Sequence, residues 1–127
     1  MKPKLLISES AIQRAILDYL QLLQNQGKIL FLRLNAGKFP IQNKNGKWRM
    51  LRGAPAGWSD IIVWKPIAQE IGINATFSFL RTYFLEVKSS SGKLLGDQMA
   101  FEQQVRQLSG NYQVVRSVEE MKKILEL

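Results

Sequence analysis

The sequence predicts an α/β fold in which one mixed central β-sheet is flanked by helices. Three observations point there: an amphipathic helical repeat near the start, two long β-type runs in the middle, and a helix, a short strand and a last helix after them. The order is thus α, three or four strands, α, β, α. At 127 residues and 46% hydrophobic content the chain has the size of one domain with one core.

Ser8 caps a first helix that runs to about Gln26, with Ile12, Ile16, Tyr19, Leu20 and Leu23 at helical spacing and Gly27 as the stop. Ile29 to Asn35 is a β-type run. Ala36-Gly37 and the basic, Asn-rich stretch to Gly46 read as a loop, followed by a short strand from Trp48 to Leu51. The turn from Gly53 to Gly57 delivers the chain into Ser59 to Trp64, an apolar strand suited to a sheet centre. Pro66 to Asn74 reads as a connection. Thr76 to Lys88 is the longest β-like run, ended by Ser89-Ser90-Ser91-Gly92. Asp97 opens a helix to about Leu108, stopped by Gly110, and Tyr112 to Val115 is a short strand. Ser117 and Glu120 form a capping-box pattern for a last helix carrying Val118, Met121 and Leu125.

Composition narrows the chemistry. The chain has neither cysteine nor histidine, which excludes disulfides, zinc-thiolate sites, thiol nucleophiles, Ser-His-Asp triads, HExxH metalloproteases and histidine-based nucleases. An enzyme built from this sequence must work with carboxylates, lysine and a hard metal ion. Eighteen Lys and Arg against ten Asp and Glu give a net charge of +8, the footprint of a polyanion binder or of a generally basic surface. No apolar run has membrane-spanning length and the first ten residues are too weakly apolar for a signal peptide. The expectation is a cytoplasmic protein with no membrane partner.

Against ten acids, each acid in an apolar setting is conspicuous. At about 100° per residue, Glu9 falls on the same face of the first helix as Ile12, Ile16, Leu20 and Leu23; alternatively it serves the helix dipole and reaches solvent. Asp60 opens a strand of Ile, Ile, Val and Trp, as a buried acid or as a cap on the preceding turn. In Phe84-Leu85-Glu86-Val87-Lys88 the two-residue period puts Glu86 and Lys88 on one side of a strand, as a site or as a surface ion pair. Gln98 shares a helical face with Phe101, Val105 and Leu108. Polar groups at the edges of apolar surfaces in four elements tend to converge on a site.

Carboxylates without histidine or cysteine make an oxygen-only site suited to Mg²⁺ or Mn²⁺, ions that bind phosphate oxygens and activate water. Asp60 and Glu86 are the best ligands. Lys88 is placed to orient or deprotonate the attacking water, or to neutralise charge on a phosphate.

Gly57-Trp58-Ser59-Asp60, Phe84-Leu85-Glu86-Val87-Lys88 and Gln98 together resemble the PD-(D/E)XK nuclease superfamily, and more narrowly its VRR-NUC branch. Glu9 and Gln13, then Arg33, Asn35 and Gly37, match that branch's first helix and R-x-N-x-G strand end. Gly92 and Lys93, Gln98 and Phe101, and Tyr112, Val114 and Val115 match its later motifs. Two features depart from the pattern: Ser59 stands where proline usually precedes the aspartate, and Pro66 to Phe79 looks like an insertion bearing on substrate fit or oligomerisation. The resemblance implies a restriction-endonuclease-like αβββαβ core. It implies Glu9, Asp60, Glu86, Lys88 and Gln98 as catalytic residues, and Asp60, Glu86, the Val87 carbonyl and Glu9 around the metal. It also implies Mg²⁺- or Mn²⁺-dependent DNA hydrolysis, on branched DNA such as Holliday junctions, by a homodimer.

Arg33 and Asn35, then Lys38, Lys44, Lys47, Arg49 and Arg52, with Phe39 and Trp48 interleaved, and Lys93 after the Glu86 strand, are the candidate nucleic-acid contacts. Trp48 and Trp58 are candidates for base stacking or for plain packing. Two other readings remain: a non-catalytic nucleic-acid-binding module with the same basic segment, and a restriction-type or RNA-cleaving nuclease on the same core.

Overall fold

The computed structural model describes residues 6–35 and 37–127, the side chain of Phe39 excepted. Helix α1 (Glu9–Asn25) begins where the Ser8 hydroxyl accepts the Ala11 N–H, and it buries Ile12, Ile16, Leu20 and Leu23 as the repeat predicts. After it come strands β1 (Leu30–Arg33), β2 (Lys38–Gln42), β3 (Trp48–Arg52), β4 (Ile61–Gly72) and β5 (Ala75–Val87). Helix α2 (Gly96–Gln107), strand β6 (Asn111–Val115) and helix α3 (Val118–Leu125) complete the chain. Ser117 caps α3 by accepting the Glu120 N–H at 3.1 Å, while the Glu120 carboxylate reaches back to the Arg116 N–H, one residue before the cap.

Strands β1, β4, β5 and β6 form one mixed sheet in that order, with β5 and β6 parallel and the other neighbours antiparallel. The alternation of β5 divides the interior in two. Tyr83, Leu85 and Val87 join Ile61 and Val63 of β4 under α1 and α3, in the larger core. Phe84 packs on the opposite side with Phe101 and Val105 of α2 and Tyr112 of β6. Glu86 lies one alternation beyond Phe84 and so faces α2.

Two sequence expectations fail. Pro66 to Asn74 is no connection: β4 continues through it to Gly72, with Pro66 opposite Leu80 and Gln69 opposite Phe77. The expected insertion is therefore the outer half of one long β4–β5 hairpin. The stretch from Gly37 to Gly46 is only half loop, because Lys38–Gln42 pairs with Trp48–Arg52 as a separate two-stranded sheet. The Asn43 side chain closes that hairpin by accepting the N–H groups of Asn45 and Lys47, both at 2.9 Å. Five strands, rather than three or four, thus precede α2. A third correction concerns Leu108, which is 84% exposed because α2 ends before it. Among the described residues no helix is long and apolar enough to cross a membrane.

Candidate active site

Asp60 stands where the Gly53–Gly57 turn enters β4, and backbone groups hold it from two sides. Its carbonyl accepts the Leu34 N–H at 2.7 Å, and its Oδ2 accepts the Val87 N–H at 2.8 Å. The turn reaches this position through two close approaches. A Cβ on Gly57, whose φ is +90°, would lie 2.3 Å from the Asp97 carbonyl oxygen, and one on Gly53 would lie 1.5 Å from that of Asn35. The first approach ties the turn to the start of α2. The second is fastened by Ala54 N–H to Asn35 carbonyl and Gly37 N–H to Ala54 carbonyl bonds of 2.8 and 2.7 Å. Ser59, fully buried, donates its hydroxyl to the Ile61 carbonyl at 3.3 Å, so it takes part in the strand entry rather than in the site.

Glu86 is only 1% exposed and Lys88 only 7%. Gln98 at the start of α2 donates its amide to Glu86 Oε1 at 2.8 Å while its own carbonyl oxygen accepts the Leu95 N–H at 2.9 Å. That second bond orients the amide so that its NH₂, a donor, meets the carboxylate, an acceptor. Lys88 Nζ lies 3.8 Å from the same Oε1. The other oxygen, Glu86 Oε2, is buried with no hydrogen-bond partner among the described residues. A buried carboxylate oxygen without a partner is costly, a cost relieved by a proton shared with the neighbouring Asp60 carboxylate or by a bound cation.

Electrostatics agree with that geometry. Burial first, then the neighbouring Asp60 charge, push the Glu86 carboxyl up from the ordinary glutamate value of 4.5 to about 8, against the opposing pull of Lys88. Asp60 is raised as well, chiefly by burial, while the Val87 N–H works the other way. Because the folded state holds these protons more tightly than the unfolded chain, the stabilising contribution is complete below the unfolded value and is lost as pH rises through about 8. The melting temperature of the metal-free chain is therefore expected to fall between pH 5 and pH 8.5, and Glu86→Gln to flatten that slope. A wild-type melting temperature that is flat or rising over this range contradicts the assignment.

Glu9 lies in the first turn of α1 and is exposed, not buried with Ile12 and Ile16. Its charge adds to the rise of both Asp60 and Glu86, which puts it on the site's side of the helix. Among the described residues, however, no group of three or more acids gathers as a metal cage. Two carboxylates with waters and phosphate oxygens completing the shell fit Mg²⁺, which seldom uses an all-protein cage.

Arg116 escaped the sequence altogether, and Gly92 and Tyr112 entered it only as motif positions without the contacts they make. Arg116 donates to the carbonyls of Ser89 and Gly92, the latter at 2.8 Å, and so clamps the loop that follows β5. Gly92 in that loop packs against the Lys88 stem, since an added Cβ would meet Lys88 Cβ and Cδ at 3.4 Å. Tyr112 is fully buried, its hydroxyl without a hydrogen-bond partner among the described residues, and burial and then the Glu86 charge suppress its acidity. A lone arginine after an apolar strand carries no motif, and a tyrosine on a core face reads as packing. Trp58, one of the stacking candidates, stacks on Phe101 at 4.8 Å between ring centres and keeps its other side exposed.

The basic candidates divide by element. Lys38 and Arg52 lie opposite each other on the β2–β3 hairpin, on the face that also carries exposed Trp48 and Met50. Like charges directly opposite repel unless an anion lies across them. Lys44 and Lys47 belong to the hairpin's turn region, Arg49 projects from its other face, and all three are exposed. Arg33, Asn35 and Lys93 are exposed too, although the Asn35 backbone is already committed to the Gly53 turn. Comparison of the chain with family models, with curated proteins and with solved structures gives no match.

Proposed function

We propose that this chain is a Mg²⁺-dependent endonuclease, with Mn²⁺ as a substitute, that hydrolyses DNA phosphodiester bonds and prefers branched DNA such as Holliday junctions. The observation that carries the reading is the buried, unpartnered Glu86 Oε2 beside Asp60, with Lys88 on the same side of β5. Asp60, Glu86 and the Val87 carbonyl would hold the ion, with Glu9 at the rim. The ion supplies an activated water and stabilises charge on the scissile phosphate.

The chain's own residues do the rest. Gln98 keeps Glu86 in place through its 2.8 Å bond, and the Val87 N–H does the same for Asp60. Lys88, kept at the site by the Arg116-clamped loop, orients the water or neutralises the departing oxygen. The β2–β3 hairpin, fastened one turn away from Asp60, grips the phosphate backbone through Lys38 and Arg52. The chain order α1, β1, β4, β5, α2, β6 supports the restriction-endonuclease-like core that the motifs imply, with β2–β3 placed between its first two strands. The absence of cysteine is in keeping with a cytoplasmic place of work.

The test is a substrate panel of linear duplex, four-way junction, flap, single-stranded DNA and RNA, each with Mg²⁺ and with EDTA. Metal-dependent cutting, strongest on the junction, is expected. Salt-sensitive binding without cleavage of any substrate would instead favour a binding module, and cutting of RNA or of linear duplex alone would move the substrate class.

A further inference from the structure

The β2–β3 hairpin stands apart from the main sheet, and among the described residues no third strand pairs with it. Its register sorts its side chains by face. Lys38, Pro40 and Gln42 of β2 share one face with Arg52, Met50 and Trp48 of β3, and all six are exposed. Ile41 and Leu51, on the other face, are half-buried. On the first face Trp48 is 68% exposed and Met50 59%. A single exposed apolar side chain is ordinary. Here Trp48 and Met50 are neighbours along one strand, with Pro40 directly opposite Met50, so the face carries a contiguous apolar patch.

Backbone bonds aim the hairpin from both ends. At its root the Gly53 N–H donates to the Gly37 carbonyl at 2.9 Å, and the Leu34 N–H just before it donates to the Asp60 carbonyl at 2.7 Å. At its tip the Gln42 amide donates to the Gly46 carbonyl at 3.0 Å. Charge indicates what the face meets. Between Asp18 and Asp60 the chain carries no acid. Lys38 and Arg52 lie on the root side of the apolar patch and Lys44 and Lys47 on the tip side, and among the described residues no ion pair engages these four. Cations on both sides of an aromatic ring match the alternation of phosphates and bases in a nucleic-acid strand. A lipid surface fits less well, because the turn that would lead into it carries Lys44 and Lys47 beside Asn43 and Asn45. Bases inside an intact duplex already have stacking neighbours on both sides, so Trp48 finds a partner only where stacking is broken.

We infer that Trp48, supported by Met50, is a specificity-determining residue that stacks on a DNA base face left without a stacking neighbour, as at a branch point, flap or gap. Lys38 and Arg52 hold the phosphates between that base and Asp60. Along β3 the step from Arg52 to Trp48 is about 13 Å at ~3.3 Å per residue, or about four base steps at ~3.4 Å along one strand. The hairpin thereby reads interrupted stacking rather than sequence, since every base has a flat π face. The inference rests on the DNA substrate proposed above and not on the metal chemistry.

The test is equilibrium binding in EDTA, where nothing is cut. The probes are a four-way junction and two linear duplexes of the same sequence and length, one intact and one with a single-nucleotide gap. The two duplexes have the same ends, so they differ in the base faces that the gap exposes. Wild type is expected to bind the gapped duplex and the junction more tightly than the intact duplex. Trp48→Ala should cut that preference by about fivefold to a hundredfold, the range for losing one base–aromatic stack, and Trp48→Phe should recover much of it. Lys38→Ala should instead weaken all three probes alike and lower the salt slope by about one. Circular dichroism checks that each variant folds. Equal wild-type affinity for gapped and intact duplex, or a preference that survives Trp48→Ala, overturns the inference. Flotation of wild type with phosphatidylserine vesicles, without binding to any of the three DNAs, overturns it in favour of a lipid surface. A preference that depends on Trp48, in a protein that cuts none of the substrates with Mg²⁺, upholds it and sinks the nuclease reading alone.

Discussion

Asp60→Asn is expected to lower metal-dependent cleavage by about a thousandfold or more while leaving DNA binding nearly unchanged. The substitution keeps an oxygen to accept the Val87 N–H now held at 2.8 Å, so the strand entry survives. What it removes is the charge that holds the ion. Metal stabilisation of a phosphoryl transition state amounts to several kcal/mol, and about 4 kcal/mol is three orders of magnitude in rate. Single-turnover cleavage with excess protein reads the chemical step, and a mobility-shift titration reads binding. The same variant should melt at a higher temperature than wild type in EDTA at pH 8, because it removes one of two mutually repelling acids, half-buried Asp60 beside buried Glu86. Lost activity together with gained stability separates a functional carboxylate from a damaged fold; unchanged cleavage would sink the metal site.

Lys88→Met should cost about a hundredfold to ten-thousandfold in the cleavage step, the usual range for a positioned acid or base. Methionine preserves the stem that packs under Gly92 and deletes only the ammonium 3.8 Å from Glu86. Metal affinity, followed by the Mn²⁺ dependence of the melting temperature, should change far less than the rate. A loss of metal affinity with no loss of rate at saturating Mn²⁺ would make Lys88 a structural partner of Glu86 and nothing more.

The candidate site was legible where a polar residue interrupts an apolar pattern. Asp60 before Ile61-Ile62-Val63, Glu86 and Lys88 in and just after the long β5 run, and Gln98 on the helical face of Phe101 all stand out because a core would not select them. The structure places these four residues near one another, with Gln98 bonded to Glu86 and the Val87 N–H to Asp60. Glu9 was less well placed by the same reasoning, since a residue in a first turn can share a helical face with buried neighbours and still reach solvent. Arg116 was invisible because its partners are backbone carbonyls of a distant loop, and backbone groups leave no trace in residue identity.

Secondary structure divides the same way. α1, α2, α3 and β6 follow from short-range periodicity and caps, so they could be read within a residue or two. Strand β2 and the outer half of β4 could not, because neither packs a steady face on the core and the two-residue alternation that marks a half-buried strand never develops. By itself, then, the sequence determined the chemistry open to this protein, carboxylates and lysine without histidine or cysteine, and the helices and inner strands that carry them. Only the tertiary structure decided that Glu86 keeps an unpartnered oxygen, that Arg116 holds the loop over Lys88, and that a long hairpin extends past its own sheet. Those three depend on contacts between residues far apart in the chain, and no local pattern encodes such contacts.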